Sequence, residues 1–203
     1  PLVSSLPVLS PGFVKLIKKI SPDLIHTRLS SAAGIAGFWK KFHNVPVIST
    51  FDKPAKAKYY INASRCISCA EWLKNYMVKS QGLDAKKIDV VHNPVDAKKF
   101  SRDEIKRKNF RISIGVAEDE ILFSGMGIYI SRKGFDILIK AFAEVKKFFG
   151  EKIKIKLALI GSGEERENYL KLADSLGIKI IMPDGFVKDV RDWLWASDIF
   201  VMP

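Results

Sequence analysis

Eight short apolar runs rich in Ile and Val recur along the chain, and the segments between most of them carry apolar residues at three- and four-residue spacing. The runs are "DLIHT", "PVIST", "RCISCA", "IDVVHN", "ILFSGM", "IKLALIG", "IKIIMP" and "DIFVMP". Runs this short read as strands. The spacing of Ile35, Phe38, Trp39 and Phe42, of Trp72, Leu73, Tyr76 and Met77, and of Phe135, Leu138, Ile139, Phe142, Val145 and Phe149 predicts helices with one apolar face. Gly82, Gly150 and Gly177 stand where several of these helices should stop, since glycine takes the left-handed C-terminal conformation without a Cβ clash. Strands that alternate with helices line up in parallel, so the expected class is α/β, with parallel sheets covered by helices.

The rhythm breaks once. Between Asn93 and about Glu120 the chain is polar and charged and holds no core-type strand. The boundary is placed there, giving one domain over residues 1–100 and a second over 101–203. At 203 residues and 47% hydrophobic, the chain has enough apolar mass for two cores of about 100 residues each. Two four-stranded sheets are expected to face one another across a cleft, with ligands outside the carboxyl ends of the strands. The chain is expected to be truncated at both ends: it opens on Pro1, and "DIFVMP" stops where a loop and a covering helix should follow.

Composition narrows the class. No apolar run approaches the roughly 18 residues of a membrane span, and no charged-then-apolar leader opens the chain, which points to a soluble, cytoplasmic protein. Cys66 and Cys69 have C-x-x-C spacing but no second pair and no histidines at ligand spacing, so both are read as small buried hydrophobes and no metal is expected. Residues 1–100 carry 16 Lys and Arg against 6 Asp and Glu, a net of +10, whereas residues 101–203 carry 18 against 16. The first half therefore owns a basic face suited to an anionic partner. Lys15, Lys18 and Lys19 share a helix with Phe13, Val14, Ile17 and Ile20; Lys40 and Lys41 follow Phe38 and Trp39; Lys53, Lys56 and Lys58 precede Tyr59 and Tyr60. Cations beside apolar and aromatic side chains suit peripheral contact with an anionic membrane, and no nucleic-acid module is present.

The stretch "GMGIYISRKGFDILIKAF" places Gly125 and Gly127 after a strand, then Arg132 and Lys133 at the start of a helix near Gly134. Glycines admit close backbone approach, and a helix N-terminus offers free N–H groups and partial positive charge to an anion. Taken alone, the stretch reads rather as a strand-to-helix turn with exposed cations. In "LALIGSGEERENYLKLADSLG", Gly161 and Gly163 again separate strand from helix, and Asp184 follows Gly163 by 21 residues, imitating a dinucleotide fingerprint. Arg166 occupies the place of its third glycine. His26 and His92 each end an apolar strand and would look toward the cleft. No Asp-x-Asp pair is present to chelate a diphosphate-bound cation, and no G-x-S-x-G elbow supports a hydrolytic triad.

Taken in order, these stretches resemble the retaining glycosyltransferases of family 4, whose GT-B fold sets two Rossmann-like half-domains face to face. "SPDLIHTR" and "VPVISTF" are similar to successive strands of the family's acceptor domain, and "ASRCISCAEWLKNYMVKSQGLDAKKIDVVHNPVDAKKF" to its crossover pattern. "GIYISRKGFDILIKAF", "LALIGSGEERENYLKLADSLG" and "DGFVKDVRDWLWASDIFVMP" are similar to three stretches of its donor domain. The resemblance implies that Lys133, with Arg132, neutralises the diphosphate of a nucleotide sugar. It implies further that Gly125, Gly127, Gly161 and Gly163 line the nucleotide site, and that Phe186 and Val187 sit beside the base. It implies no cofactor beyond the donor substrate, a glycan or lipid-linked acceptor of the cell-envelope polysaccharide kind, and a place at the inner membrane face.

The chain departs from that pattern at two places. Gly127 and Ile128 stand where the family often has an Arg, and Asp52 stands where a His often follows the Thr-Phe pair. The acceptor loop would precede residue 1 and the paired donor glutamates would follow residue 203, so the piece by itself is expected to be inactive. The departures favour, as an alternative, a non-catalytic nucleotide-binding or interaction module. Gly161, Gly163 and Asp184 alone favour an NAD-dependent oxidoreductase.

Overall fold

All eight apolar runs form strands, and all pair in parallel. The computed structural model describes residue 10 and residues 12–203. The chain divides into two compact units, Pro1–Val95 and Asp96–Pro203.

In the first unit β1 (Ile25–Arg28), β2 (Val47–Phe51), β3 (Arg65–Ser68) and β4 (Ile88–Val90) form one sheet in that order. Helices α1 (Gly12–Ile20), α2 (Ser30–Trp39) and α3 (Glu71–Lys79) belong to the same unit. Phe51, Cys66, Leu73, Met77 and Ile88 share one buried cluster, and Ile17, Ile25, Ala36 and Val47 share another.

Helix α2 departs from expectation. Its buried residues are Ala33, Gly34, Ile35, Ala36 and Gly37, while Phe38 is exposed and Phe42 lies beyond the helix in a 3-10 turn, also exposed. The reason is steric. A Cβ on Gly37 would stand 3.1 Å from the Cβ of Asn62, so the small residues take the face that meets the rest of the unit, and the aromatic residues are left outside. Of the cysteines, Cys66 is buried in β3 and burial pushes its thiol up to about 11, whereas Cys69 lies past the strand and is half-buried against the same core. His26 does not end its strand. It sits second in β1, on the exposed face, with Nε2 2.8 Å from Thr50 Oγ1.

The second unit contains β5 (Ile121–Met126), β6 (Ile155–Ile160), β7 (Ile180–Ile181) and β8 (Ile199–Phe200), in sheet order β7-β6-β5-β8. Side chains alternate between the faces of a strand, so the continuous apolar run of β6 must be covered on both sides. Leu157 and Leu159 join a cluster with Phe135, Leu138, Ile139 and Tyr169, from α5 (Phe135–Phe149) and α6 (Arg166–Ser175). Ala158 and Ile160 join Val116, Leu122, Trp193 and Ala196, the last two from α7 (Arg191–Ala196), with Phe110 of α4 (Glu104–Ser113) packed alongside.

Two arginines fasten α4 to the end of α7. Arg107 Nη1 donates to the carbonyls of Trp195 and Ala196 at 2.6 and 2.8 Å, and Arg111 Nη1 donates to Ala196 O at 2.8 Å and to Asp198 Oδ2 at 2.9 Å. Arg107 also pairs with Asp198, whose Oδ2 accepts the Leu122 N–H at 2.8 Å. These bonds satisfy carbonyls that a helix C-terminus otherwise leaves open. Among the described residues no helix is long and apolar enough to cross a membrane.

Candidate functional site

Strand β5 delivers the chain to Gly127, and the loops that follow β5 and β6 go on hydrogen bonding past the strand ends. The Gly127 N–H donates to Ile160 O at 3.0 Å, Tyr129 N–H to Ser162 O at 2.9 Å, and Glu165 N–H to Tyr129 O at 3.1 Å. The approach is close enough to demand glycine: a Cβ on Gly161 would lie 1.9 Å from Gly127 O, and one on Gly163 would lie 2.5 Å from Tyr129 O. Their missing side chains thus make room for the neighbouring loop, and what they offer a ligand is backbone. Gly125 has a different task. It is buried, and a Cβ there would stand 2.9 Å from Leu138 Cδ2, so it lets α5 close on β5.

Tyr129 anchors this double loop. It is fully buried, its hydroxyl donates to Leu159 O, and its ring meets Phe135 and Tyr169 edge-on with centroids 5.8 Å away in each case. Burial pushes its phenol up to about 12. Tyr169 Oη donates in turn to Ile130 O at 3.3 Å, and Ser131 Oγ to Glu165 Oε1 at 3.3 Å. Motif reading passed over Tyr129. Its signal is a large aromatic residue inside a glycine loop, between an apolar strand and a helix.

Beyond Tyr129 the chain makes a 3-10 turn over Ser131–Lys133, takes a left-handed conformation at Gly134 (φ 67°), and enters α5 with no side chain capping the helix. Among the described residues the N–H groups of Phe135 and Asp136 have no backbone acceptor. Arg132 is exposed, and Lys133 is half-buried, with its Cε 3.8 Å from where a Gly127 Cβ would be. Neither cation forms an ion pair among the described residues, while Arg107, Arg111, Arg166 and Arg191 of the same unit all do. A helix N-terminus carries about half a positive charge, which with the two cations beside it suits an anion, although Asp136 in the first turn of α5 offsets part of that charge.

The loop after β7 holds the remaining candidates. Phe186 is 79% exposed, while Val187 is half-buried against the Trp193 cluster. Arg166 reaches the same loop, donating to Pro183 O at 3.0 Å and lying 3.4 Å from Asp184 Oδ1. The acid that would bind a ribose in a dinucleotide site thus stands in solvent with one long contact to an arginine. Lys133, Gly127, Gly161 and Gly163 are brought together at the β5 and β6 loops; Gly125 lies beneath, in the core.

In the first unit the carboxyl ends of the strands carry a polar cluster. Arg28, the last residue of β1, forms a two-point pair with Asp52 at 2.7 and 3.0 Å, and hydrogen bonding to Asp52 raises its pKa further. Cys69 Sγ lies 3.8 Å from Asp52 O, and His92 Nδ1 lies 3.1 Å from Cys69 O. Among the described residues no three His, Cys, Asp or Glu side chains gather as a metal-binding group.

Comparison with known proteins finds a family match in each unit. Residues 1–99 match the family described as Glycosyltransferase Family 4, and residues 118–203 match the one described as Glycosyl transferases group 1. The chain is 26% identical over 191 residues to the lipopolysaccharide core biosynthesis glycosyltransferase LpsD of Rhizobium meliloti, covering 93% of this chain and 50% of that protein. It is 28% identical over 216 residues to an Escherichia coli UDP-Gal:alpha-D-GlcNAc-diphosphoundecaprenol alpha-1,3-galactosyltransferase, covering 93% and 54%. Among solved structures, Anabaena Alr3699/HepE in complex with UDP superposes with a TM-score of 0.81 at 18% identity, covering 96% of this chain and 57% of that one. The chain spans about half the length of the curated relatives that it matches end to end.

Proposed function

The chain belongs to the family 4, group 1 glycosyltransferases and has their GT-B type of fold, and from that premise we propose that its parent protein moves a hexose from a nucleotide diphosphate sugar to a glycan or lipid-linked acceptor, with retention. The observation that carries the reading is the uncompensated pair Arg132 and Lys133 at the amino end of α5. In the proposed step the bond from the anomeric carbon to the diphosphate oxygen breaks, and its electron pair leaves with the diphosphate. The acceptor hydroxyl bonds to the same face of that carbon, and its proton passes to the departing phosphate oxygen. Lys133, Arg132 and the free N–H groups of Phe135 and Asp136 stabilise the charge that develops there, where such stabilisation is most effective. The backbone of Gly127, Gly161 and Gly163 shapes the floor, and Phe186 and Val187 flank the base.

Several observations support the finer parts of the reading. The UDP in the Anabaena relative and the UDP-Gal in the name of the E. coli enzyme support a uridine donor. The lipopolysaccharide relatives support a cell-envelope acceptor. The basic first unit, with its lysines beside aromatic residues, supports peripheral contact with an anionic bilayer. With half the length of its relatives, the chain alone is expected to bind nucleotide without turning over a nucleotide sugar.

Calorimetry of the 203-residue chain with UDP, GDP and ADP tests this. Charged hydrogen bonds of about 1.5–3 kcal/mol set the expected loss of affinity at roughly 10- to 100-fold in Lys133→Ala. Undiminished binding by that variant removes Lys133 from the site, and sugar transfer by the chain alone overturns the expected inactivity.

A further inference from the structure

At the opposite end of the first sheet, where the chain enters β2, β3 and β4, a hollow of about 670 Å³ is walled by the end of α2 and the residues leading into those strands. Three lysines line it: Lys40 and Lys41 follow α2, and Lys87 precedes β4. None of them is ion-paired among the described residues, which leaves three full positive charges around one cavity. The carboxyl end of α2 accounts for only about half an elementary charge of that excess. The side chains of Asn44 and Asn62 on the same wall make no hydrogen bond among the described residues. Asn44 and Asn62 are exposed, so their amide donors and acceptors are open to a ligand on this wall.

The rim has the other half of an amphipathic ligand's requirements. Phe38, Phe42 and Ile61 are exposed, and Lys41 Nζ lies 5.5 Å above the Phe38 ring and 5.2 Å above that of Phe42. A small soluble anion would leave those apolar side chains in water. Cations set among exposed aromatic and aliphatic groups suit the headgroup layer of a bilayer instead.

We propose that this hollow binds the phosphate headgroup of an anionic lipid, with Lys40, Lys41 and Lys87 on the phosphate and Phe38, Phe42 and Ile61 in the interfacial layer. The proposal rests on the reading of the first unit as membrane-facing and gives that contact a location: the amino ends of the strands.

Co-sedimentation of the 203-residue chain with phosphatidylglycerol-containing and pure phosphatidylcholine vesicles, at low and physiological salt, tests it. The expected result is anionic-selective, salt-weakened binding that falls about fivefold per lysine removed, hence about 100-fold in the Lys40→Ala, Lys41→Ala, Lys87→Ala variant. The corresponding triple Lys→Arg variant should bind as the parent does. Lys53→Ala, Lys56→Ala, Lys58→Ala removes equal charge from the same unit and should cost clearly less. Equal loss in both alanine triples means diffuse attraction and overturns the site while leaving the membrane reading standing. No binding to either vesicle overturns both. Calorimetric binding of inorganic phosphate without vesicle binding makes the ligand a soluble anion and overturns the lipid assignment. Nucleotide binding at Lys133 is untouched by any of these outcomes.

Discussion

The hydroxyl of Tyr129 donates a 2.7 Å hydrogen bond to the carbonyl of Leu159, 30 residues further along the chain, and so ties the loop that holds Lys133 to the strand beside it. Tyr129→Phe removes only that bond and keeps the ring contacts with Phe135 and Tyr169. Urea denaturation should show a loss of about 1 kcal/mol. Nucleotide affinity should fall with it, because the loop loses its register against β6.

The same residue carries a pH dependence. Its phenol, pushed up to about 12 by burial, stays protonated in the fold where an unfolded tyrosine near 10 would ionise. The unfolded chain then holds fewer protons than the folded one, so this contribution is complete below pH 10 and is lost as pH rises toward 12. Burial shifts Tyr60 and Tyr169 the same way. Urea midpoints at pH 8 and pH 11 should therefore differ less in Tyr129→Phe than in the parent, without becoming equal.

Gly161 tests the close approach of the two loops. Gly161→Ala sets a methyl group against Gly127 O and should cost about 2 kcal/mol or more, together with nucleotide binding. Gly177→Ala is the comparison: nothing lies within 4 Å of its Cβ position, so only its positive φ of 66° is penalised, at about 1 kcal/mol. Similar losses in thermal or urea unfolding would show that backbone conformation, and not loop contact, decides Gly161.

Asp198 tests the latch between α4 and α7. Burial pushes its carboxyl up, but the Leu122 N–H, Arg111 and Arg107 outweigh burial and hold it below the ordinary carboxylate value. A depressed carboxylate stabilises the fold above its unfolded pKa, and that stability is lost as pH falls through the folded value. Asp198→Asn should remove about 3 kcal/mol at neutral pH, because Arg111, only 4% exposed, loses its counter-charge, and it should flatten the acid limb of the stability profile. Chemical denaturation between pH 3 and 7 reads both effects.

Asp184 separates the two nucleotide readings. Its side chain is exposed and lies beside Arg166, so Asp184→Asn should leave UDP affinity within twofold of the parent. A tenfold loss, or calorimetric binding of NAD, would favour the dinucleotide reading.

What could be read before folding was whatever depends on local period and local chemistry. Strands such as "ILFSGM" and "IKLALIG" declare themselves because a parallel strand covered on both faces must be apolar throughout. The stretch from Gly127 to Lys133 is legible as a loop ahead of a helix for the same reason, and its two cations are visible as charge, but their phosphate role comes only from the resemblance. The rest depended on which distant backbones approach one another. That Gly161 and Gly163 yield to the neighbouring loop, that Tyr129 is its anchor, and that Arg166 bonds the Pro183 carbonyl are relations across 17 or more residues that no window of sequence contains. The aromatic residues of α2 went astray on the same ground. Their helical spacing is compatible with burial, but the contact of Gly37 with Asn62 chose the small residues for the inner face, and only tertiary packing makes that choice.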